Sequence, residues 1–334
     1  MSLMREHDIR PQALLDEFFE RLQRDAARVA ARRGEFVQVP CPFCGGSSAR
    51  SAFEKEGFRY VECGDCDSLY ASPRPTPELL RQYLESSEAA EFWSTHFYRE
   101  TADARRQQMF RPRAARIAAL ADQYGLDTTA VCADIGAGYG LFLLELAALG
   151  RFGRVVAIEP DARLARVCRD HGFHVVEKWV EDVTPADVAA DLAVAFEVLE
   201  HVFDPLTFLR AASGTVRPGG LLFFSTLASS GFDIQVLWEH SRSVSPPQHL
   251  SFPSIAGVSR LVERAGLELI EVTTPGQLDV DIVRNRLRAQ PDLPVPRIAR
   301  TIAATDEAAR RAVQEVLRDH KLSSHVQCLA RRRA

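Results

Sequence analysis

From residue 130 onward the chain alternates short apolar runs with stretches whose apolar residues recur at helical spacing. Residues 131–135, 154–158, 192–196, 221–226, 267–272 and 325–329 read as strands, with 175–177 a weaker strand third in order. Residues 141–149, 162–171, 205–216 and 255–265 read as the helices between them. Repeated β-α-β units cross over right-handed, so this pattern predicts an α/β fold with a parallel sheet covered on both faces. Residues 277–322 interrupt the rhythm with a charged, helical composition and read as an inserted cap.

The N-terminal third follows a different pattern. Leu14, Leu15, Phe18, Phe19 and Leu22 fall at helical spacing within residues 8–33, an amphipathic helix with Pro11 in its first turn. Pro40 and Pro42 open a cysteine-bearing segment, and Pro73-Arg-Pro-Thr-Pro77 closes it as a stiff exit. Residues 78–85 and about 100–122 read as helices with a break between them. The division expected is 1–36 N-terminal helix, 37–77 cysteine module, 78–122 helical connector or lid, 123–276 with 323–334 sheet domain, and 277–322 insertion.

Composition narrows the function. A length of 334 residues leaves room for one large core and a small accessory module. A net charge of −4 argues against nonspecific nucleic-acid binding, which needs a basic surface. No apolar run approaches the roughly 18 residues of a membrane span, and residues 1–24 lack a signal-peptide core. A cytoplasmic protein is expected. Met1-Ser-Leu ahead of Met4 reads as a cloning remnant.

Four of the seven cysteines form two tight pairs, Cys41-Pro-Phe-Cys44 and Cys63-Gly-Asp-Cys66, separated by 18 residues. That spacing fits a zinc knuckle in which two turns bring four thiolates into a tetrahedron. Four thiolates leave no place for water, so such a metal is structural. A redox pair fits less well, because neither pair opens a helix. Cys132, Cys168 and Cys328 fall within the expected sheet and helices and read as core packing.

The stretch Asp134-Ile-Gly-Ala-Gly-Tyr-Gly140 joins the first strand of the sheet to its helix, and Glu159 follows at the tip of the next strand. Glycines let a ligand approach the backbone, and an acid at that tip can accept hydrogen bonds from ribose hydroxyls. A dinucleotide loop is GxGxxG, but here the third position of that pattern is Leu141 and the loop opens on an acid. An acid repels a pyrophosphate and suits a cofactor with an amino group and no phosphate.

On this motif the chain resembles the class I S-adenosylmethionine-dependent methyltransferases. Phe196-Glu-Val-Leu-Glu-His-Val-Phe-Asp-Pro205 is similar to a segment after the fourth strand of many small-molecule members. Val216-Arg-Pro-Gly-Gly-Leu-Leu-Phe-Phe-Ser-Thr226 is similar to the family's turn into its fifth strand. The cysteine segment, through Asp67-Ser-Leu-Tyr-Ala-Ser-Pro-Arg-Pro-Thr-Pro77, resembles a zinc module ahead of some bacterial methyltransferases, including enzymes acting on nucleotide-linked sugars. The resemblance implies a seven-stranded Rossmann-like sheet with its last strand antiparallel, and usually a tight hairpin where this chain has its insertion.

The resemblance also implies roles. Asp134 and Gly136 would flank the sulfonium and amino-acid part of the cofactor and Glu159 would hold the ribose, with Gly138, Gly140 and Pro160 also cofactor-binding. Glu181 or Asp182 would approach adenine, Glu197 the methionine part, and one of Arg106, Arg111 and Arg113 the cofactor carboxylate. Glu200 and His201 would lie beside the transferred methyl, although a helix start also favours an acid and a histidine contact. His249, held in Pro246-Pro-Gln-His-Leu-Ser-Phe252, is expected to have a fixed geometry and a pKa near the working range. Those properties make it first choice for a general base, with His201 second; the alternative is a loop-organising histidine.

The cofactor implied is S-adenosyl-L-methionine, leaving as S-adenosylhomocysteine, together with structural Zn2+. The favoured acceptor is a small molecule, namely a sugar, nucleotide-sugar or natural-product intermediate, methylated at O, N or C. An RNA methyltransferase whose module grips nucleic acid, and a non-catalytic cofactor-binding protein, are the alternatives. No membrane partner is expected, and a homodimer is left open.

Overall fold

A computed structural model describes residues 5–334; the Met1-Ser-Leu remnant expected at the start lies outside the described residues. Short strands β1 (Phe36–Val37), β2 (Ala49–Lys55), β3 (Phe58–Cys63), β4 (Leu69–Ala71) and β5 (Arg74–Pro75) build the N-terminal module. The sheet domain contains β6 (Val131–Ile135), β7 (Arg154–Ile158), β8 (His174–Val176), β9 (Ala190–Phe196) and β10 (Val216–Leu227). They are followed by β11 (Ser251–Phe252), β12 (Leu267–Thr273) and β13 (His325–Arg332).

Seven strands form one sheet in the order β12-β13-β10-β9-β6-β7-β8. The strands β8, β7, β6, β9 and β10 pair in parallel, whereas β13 runs antiparallel to both β10 and β12. The apolar runs become strands because both faces are covered: Val156, Ala157, Ala133, Leu192, Ala193 and Val194 are fully buried. Connections leave β6 in opposite directions across the sheet, and a crevice therefore opens beyond the carboxyl ends of β6 and β9. Because β13 is antiparallel, its first residue, His325, arrives at that same rim.

The connector departs from expectation. The break expected between residues 85 and 100 narrows to one extended residue, Ser87. Ser87 caps a helix at Glu88, accepting a hydrogen bond from Ala90 N–H at 3.0 Å. Helical backbone then continues to Gln123 through two π turns, Trp93–Phe97 and Arg106–Phe110. The polar run Ser94-Thr-His96 hides this in the sequence. A π turn adds one residue and rotates the apolar face, so that Trp93 stacks on Phe97 at 4.0 Å and meets Phe18 of the first long helix at 4.9 Å. That helix, Gln12–Ala30, is shorter than the expected 8–33, and Pro11 sits just before it.

The insertion between β12 and β13 holds three helices, Asp279–Ala289, Arg297–Ala304 and Glu307–Asp319. Its root is a buried carboxylate pair. Asp279 accepts hydrogen bonds from the Ser323 hydroxyl (2.6 Å), Gln314 Nε2 (2.7 Å) and Ser324 N–H (2.7 Å). Asp233 is wholly buried and neither of its oxygens has a partner. Burial, and then the Asp279 charge, push Asp233 up to about 8 from an ordinary 3.8. The folded chain therefore holds a proton that the unfolded chain has released across that interval, and its stability falls as pH rises from 4 to 8. Asp233→Asn should flatten this slope and stabilise the protein at pH 8 by on the order of 1–3 kcal/mol. Urea unfolding at several pH values reads this directly, and an unchanged slope would refute the assignment.

Candidate active site

The glycine loop sits at the mouth of the crevice. Gly136, Gly138 and Gly140 all have positive φ (74°, 56° and 68°). At Gly136 the requirement is also steric, because a Cβ there would lie 2.8 Å from Val198 Cγ2. Glu159 binds the loop: its Oε2 accepts from Gly138 N–H at 2.8 Å and its Oε1 from Asp161 N–H at 3.0 Å. Burial raises Glu159 to about 7, against the pull of those two N–H groups. Asp134, almost fully buried one residue before the end of β6, is pushed well above the usual range by burial and by Glu159, with Arg113 opposing. A buried acid in that position fits a cationic ligand group.

A cavity of about 280 Å3 opens against this loop and contains Asp134, Gly136, Glu197, Glu200, His201 and His249 on its wall. It adjoins a second of about 690 Å3, with Arg113, Glu197, Leu227, Ser243 and Ile282 among the residues common to both. The insertion reaches the second cavity through Leu278, Asp279 and Ile282.

At the end of β9 the backbone of Glu197 adopts φ 56°, in the left-handed region. Such a turn on a non-glycine residue costs on the order of 1–3 kcal/mol and clusters at working sites. It directs the carboxylate into a polar nest: the Ser225 hydroxyl donates at 2.5 Å, His325 Nδ1 lies at 3.3 Å and Arg113 at 3.5 Å. Burial opposes ionisation, but His325, Arg113 and Ser225 together hold Glu197 well below the usual carboxylate range. Glu200 shows the opposite balance. Burial and the Glu197 charge push it up to about 8, although the Thr226 hydroxyl donates to Oε2 at 2.7 Å.

Several expected residues lie elsewhere. Arg106 does not reach the crevice: it pairs with Glu145 at 2.8 Å, as Arg111 does at 3.0 Å, because that buried acid on Leu141–Ala148 needs cations. Arg113 is the member of the trio on the cavity wall, with its guanidinium 4.8 Å from the Phe196 ring centre. Gly138, Gly140, Glu159, Pro160, Glu181 and Asp182 are not on the wall of the first cavity. Gly140 instead caps the helix Leu141–Ala148, and Glu181 and Asp182 are exposed on a short 3-10 turn.

A working-range pKa for His249 does not materialise. Burial, then the neighbouring His201, lower His249 to about 3, and burial lowers His201 to about 4. Imidazoles of such low basicity make poor proton acceptors near neutrality. Ser225, Thr226 and His325 were not singled out from sequence. Two hydroxyl residues closing the otherwise apolar run Leu221-Leu-Phe-Phe224 were the available signal for the first two.

The module faces inward. Cys41 and Cys66 Sγ atoms lie 3.6 Å apart, Cys44 and Cys63 3.4 Å, and one ligand atom from each of the four falls within 4.8 Å of the others. The Gly46 and Asp65 N–H groups point at Cys44 and Cys63 sulfurs, both at 3.4 Å, as thiolates at a metal would favour. This donor set fits a zinc ion. Strand β11, from the sheet domain, completes the module's sheet in the order β11-β4-β3-β2. The loop carrying His249 is then held from the module side. Lys55 donates to Ser241 O (2.7 Å), Tyr60 Oη to His249 O (2.7 Å), and buried Arg74 to Phe203 O (2.8 Å) and Leu250 O (3.4 Å).

The sheet order and the acid-fronted glycine loop define the class I S-adenosylmethionine-dependent methyltransferase fold. The chain belongs to the family whose model, described as a methyltransferase domain, matches residues 104–272, just over half of it. A ubiquinone biosynthesis O-methyltransferase of Methylobacterium sp. (strain 4-46) is 39% identical over 100 residues, covering 28% of this chain and 39% of that protein. Its counterpart in Xanthomonas axonopodis pv. citri (strain 306) is 33% identical over 155 residues, 42% of this chain and 63% of that protein. The chain thus spans less than two thirds of these curated relatives. Among solved structures, the plantazolicin methyltransferase BpumL in complex with SAH is 10% identical, with TM-score 0.47, over 76% of this chain and 94% of that one. CalS10, an amino pentose methyltransferase from Micromonospora echinaspora, is 22% identical, with TM-score 0.34, over 38% of this chain and 54% of that one. No helix among the described residues is long and apolar enough to cross a membrane.

Proposed function

We propose that this protein transfers the methyl group of S-adenosylmethionine to a small-molecule acceptor, with a sugar, nucleotide-sugar or natural-product intermediate as the favoured class. One observation carries the reading: the acid-fronted glycine loop and the Glu197–His201 turn share one cavity, which runs on beneath the insertion. When bound, the cofactor supplies a methyl on a positively charged sulfur, already activated for displacement. Asp134 would accept from the cofactor's ammonium group and Arg113 would meet its carboxylate. Glu159, whose oxygens have lone pairs to spare beyond the two N–H groups, would accept from the ribose. Gly136 lets the backbone approach without a side chain.

The acceptor would enter through the second cavity, with Gln277, Leu278 and Ile282 of the insertion shaping its wall. Alignment of the acceptor atom with the sulfur–carbon bond and exclusion of water are then the work of the walls. Structural zinc at Cys41, Cys44, Cys63 and Cys66 would fix the module, whose inner edge is engaged with the His249 loop. A module committed in this way supports the small-molecule reading over one in which it grips RNA. The test is incubation with methyl-labelled S-adenosylmethionine and a panel of nucleotide-sugars, phenolic metabolites and total RNA. Label is expected in a small molecule; label confined to RNA would overturn the reading.

A further inference from the structure

We propose that Glu200, His201 and His249 form a binding site for a divalent metal ion, separate from the four cysteines and open to the cavity. One ligand atom from each of the three falls within 4.8 Å of the others. The two rings meet edge to face with centroids 4.7 Å apart. Each ring is oriented by a backbone carbonyl, Gln248 O at 3.0 Å from His201 Nδ1 and Ser243 O at 2.7 Å from His249 Nδ1. A carbonyl only accepts, so each Nδ1 is the protonated nitrogen and each Nε2 carries the lone pair. Carbonyl-oriented histidines of this kind are the usual outer support of a metal ligand. Glu200 is supported in the same way: Thr226 occupies Oε2 and leaves Oε1 uncommitted.

The ligands come from two loops that the fold ties together. Leu250 N–H donates to Glu200 O at 2.9 Å, and Tyr60 and Arg74 hold the His249 segment from the module. Such a cage is built before any ion arrives. Two imidazoles and a carboxylate suit first-row divalent ions such as Mn2+, Co2+ or Zn2+. Three protein ligands leave coordination positions open, and all three residues lie on the cavity wall. An acceptor oxygen, hydroxyl or carboxylate, is what such an ion would hold. That last step rests on the methyltransferase reading; ion binding itself does not.

The experiment therefore omits cofactor and acceptor. The full-length protein, with its cysteine site loaded, is titrated with Co2+ at neutral pH by calorimetry and visible absorption. One further ion per chain is expected, with cobalt ligand-field bands and no new thiolate charge-transfer band. Loss of an outer-shell support typically weakens a metal about 10–100-fold, so His249→Ala, which removes a ligand itself, should weaken binding at least about 100-fold. Should that variant fail to fold, Mn2+ added to the unaltered protein should broaden the imidazole NMR signals of His201 and His249 before those of the other histidines. No additional ion, His249→Ala binding unchanged, or broadening confined to exposed histidines would each overturn the site.

Discussion

Gly136→Ala is expected to abolish useful cofactor binding while leaving the chain folded. The backbone at Gly136 has φ 74°, and the added methyl would press to 2.8 Å from Val198 Cγ2. A left-handed alanine costs about 1–2 kcal/mol, and the clash must be relieved by moving Val198, which sits between Glu197 and Glu200. The variant thus disturbs both walls of the crevice. Titration calorimetry with S-adenosylhomocysteine should show affinity lower by at least about 100-fold, or roughly 2.7 kcal/mol. Gly138→Ala is the control. It shares the positive φ, but its Cβ would meet nothing within 4 Å, so backbone strain alone should limit its loss to about tenfold. Equal losses for the two, or none at Gly136, would remove the steric argument.

The second large effect is expected at the cysteines. Cys63→Ser should release the module's metal, lower the melting temperature by about 10 °C or more and eliminate methyl transfer. Cys63 is fully buried at the end of β3, and β3 pairs with β4, which pairs with β11. Loss of the knuckle therefore loosens the strand next to His249 as well as the module. Cys132→Ser, equally buried but in the main sheet, should lower stability without changing metal content. Elemental analysis should find zinc at the cysteine site of the unaltered protein and one zinc per chain fewer in Cys63→Ser. Full zinc content and full activity in Cys63→Ser would refute a four-cysteine site.

The architecture was legible where local pattern and tertiary environment agree. Apolar runs buried on both faces, such as 131–135 and 154–158, coincide with β6 and β7 to the residue. The connector's two helical stretches were legible, but not how far the second reaches back toward Ser87, since π turns leave no periodic trace and Trp93 and Phe97 are matched by stacking rather than by spacing. At the site, the residues that two short motifs bring to the cavity wall, Asp134, Gly136, Glu197, Glu200 and His201, were singled out from sequence. Side-chain destinations set by tertiary partners could not. Glu145 claims Arg106, and burial takes the basicity of His249, yet neither fact is written in the neighbouring residues. His325 joins Glu197 only because β13 runs antiparallel and begins at the rim.

The account rests on one crevice receiving an adenosine bearing a charged amino-acid tail. Its most direct test is a crystal structure of the protein grown with S-adenosylhomocysteine. Density is expected along the glycine loop, with the amino-acid end between Asp134 and Arg113 and the ribose turned toward Glu159. A crevice closed by its own side chains in the presence of saturating ligand, or ligand bound away from Gly136, would contradict it.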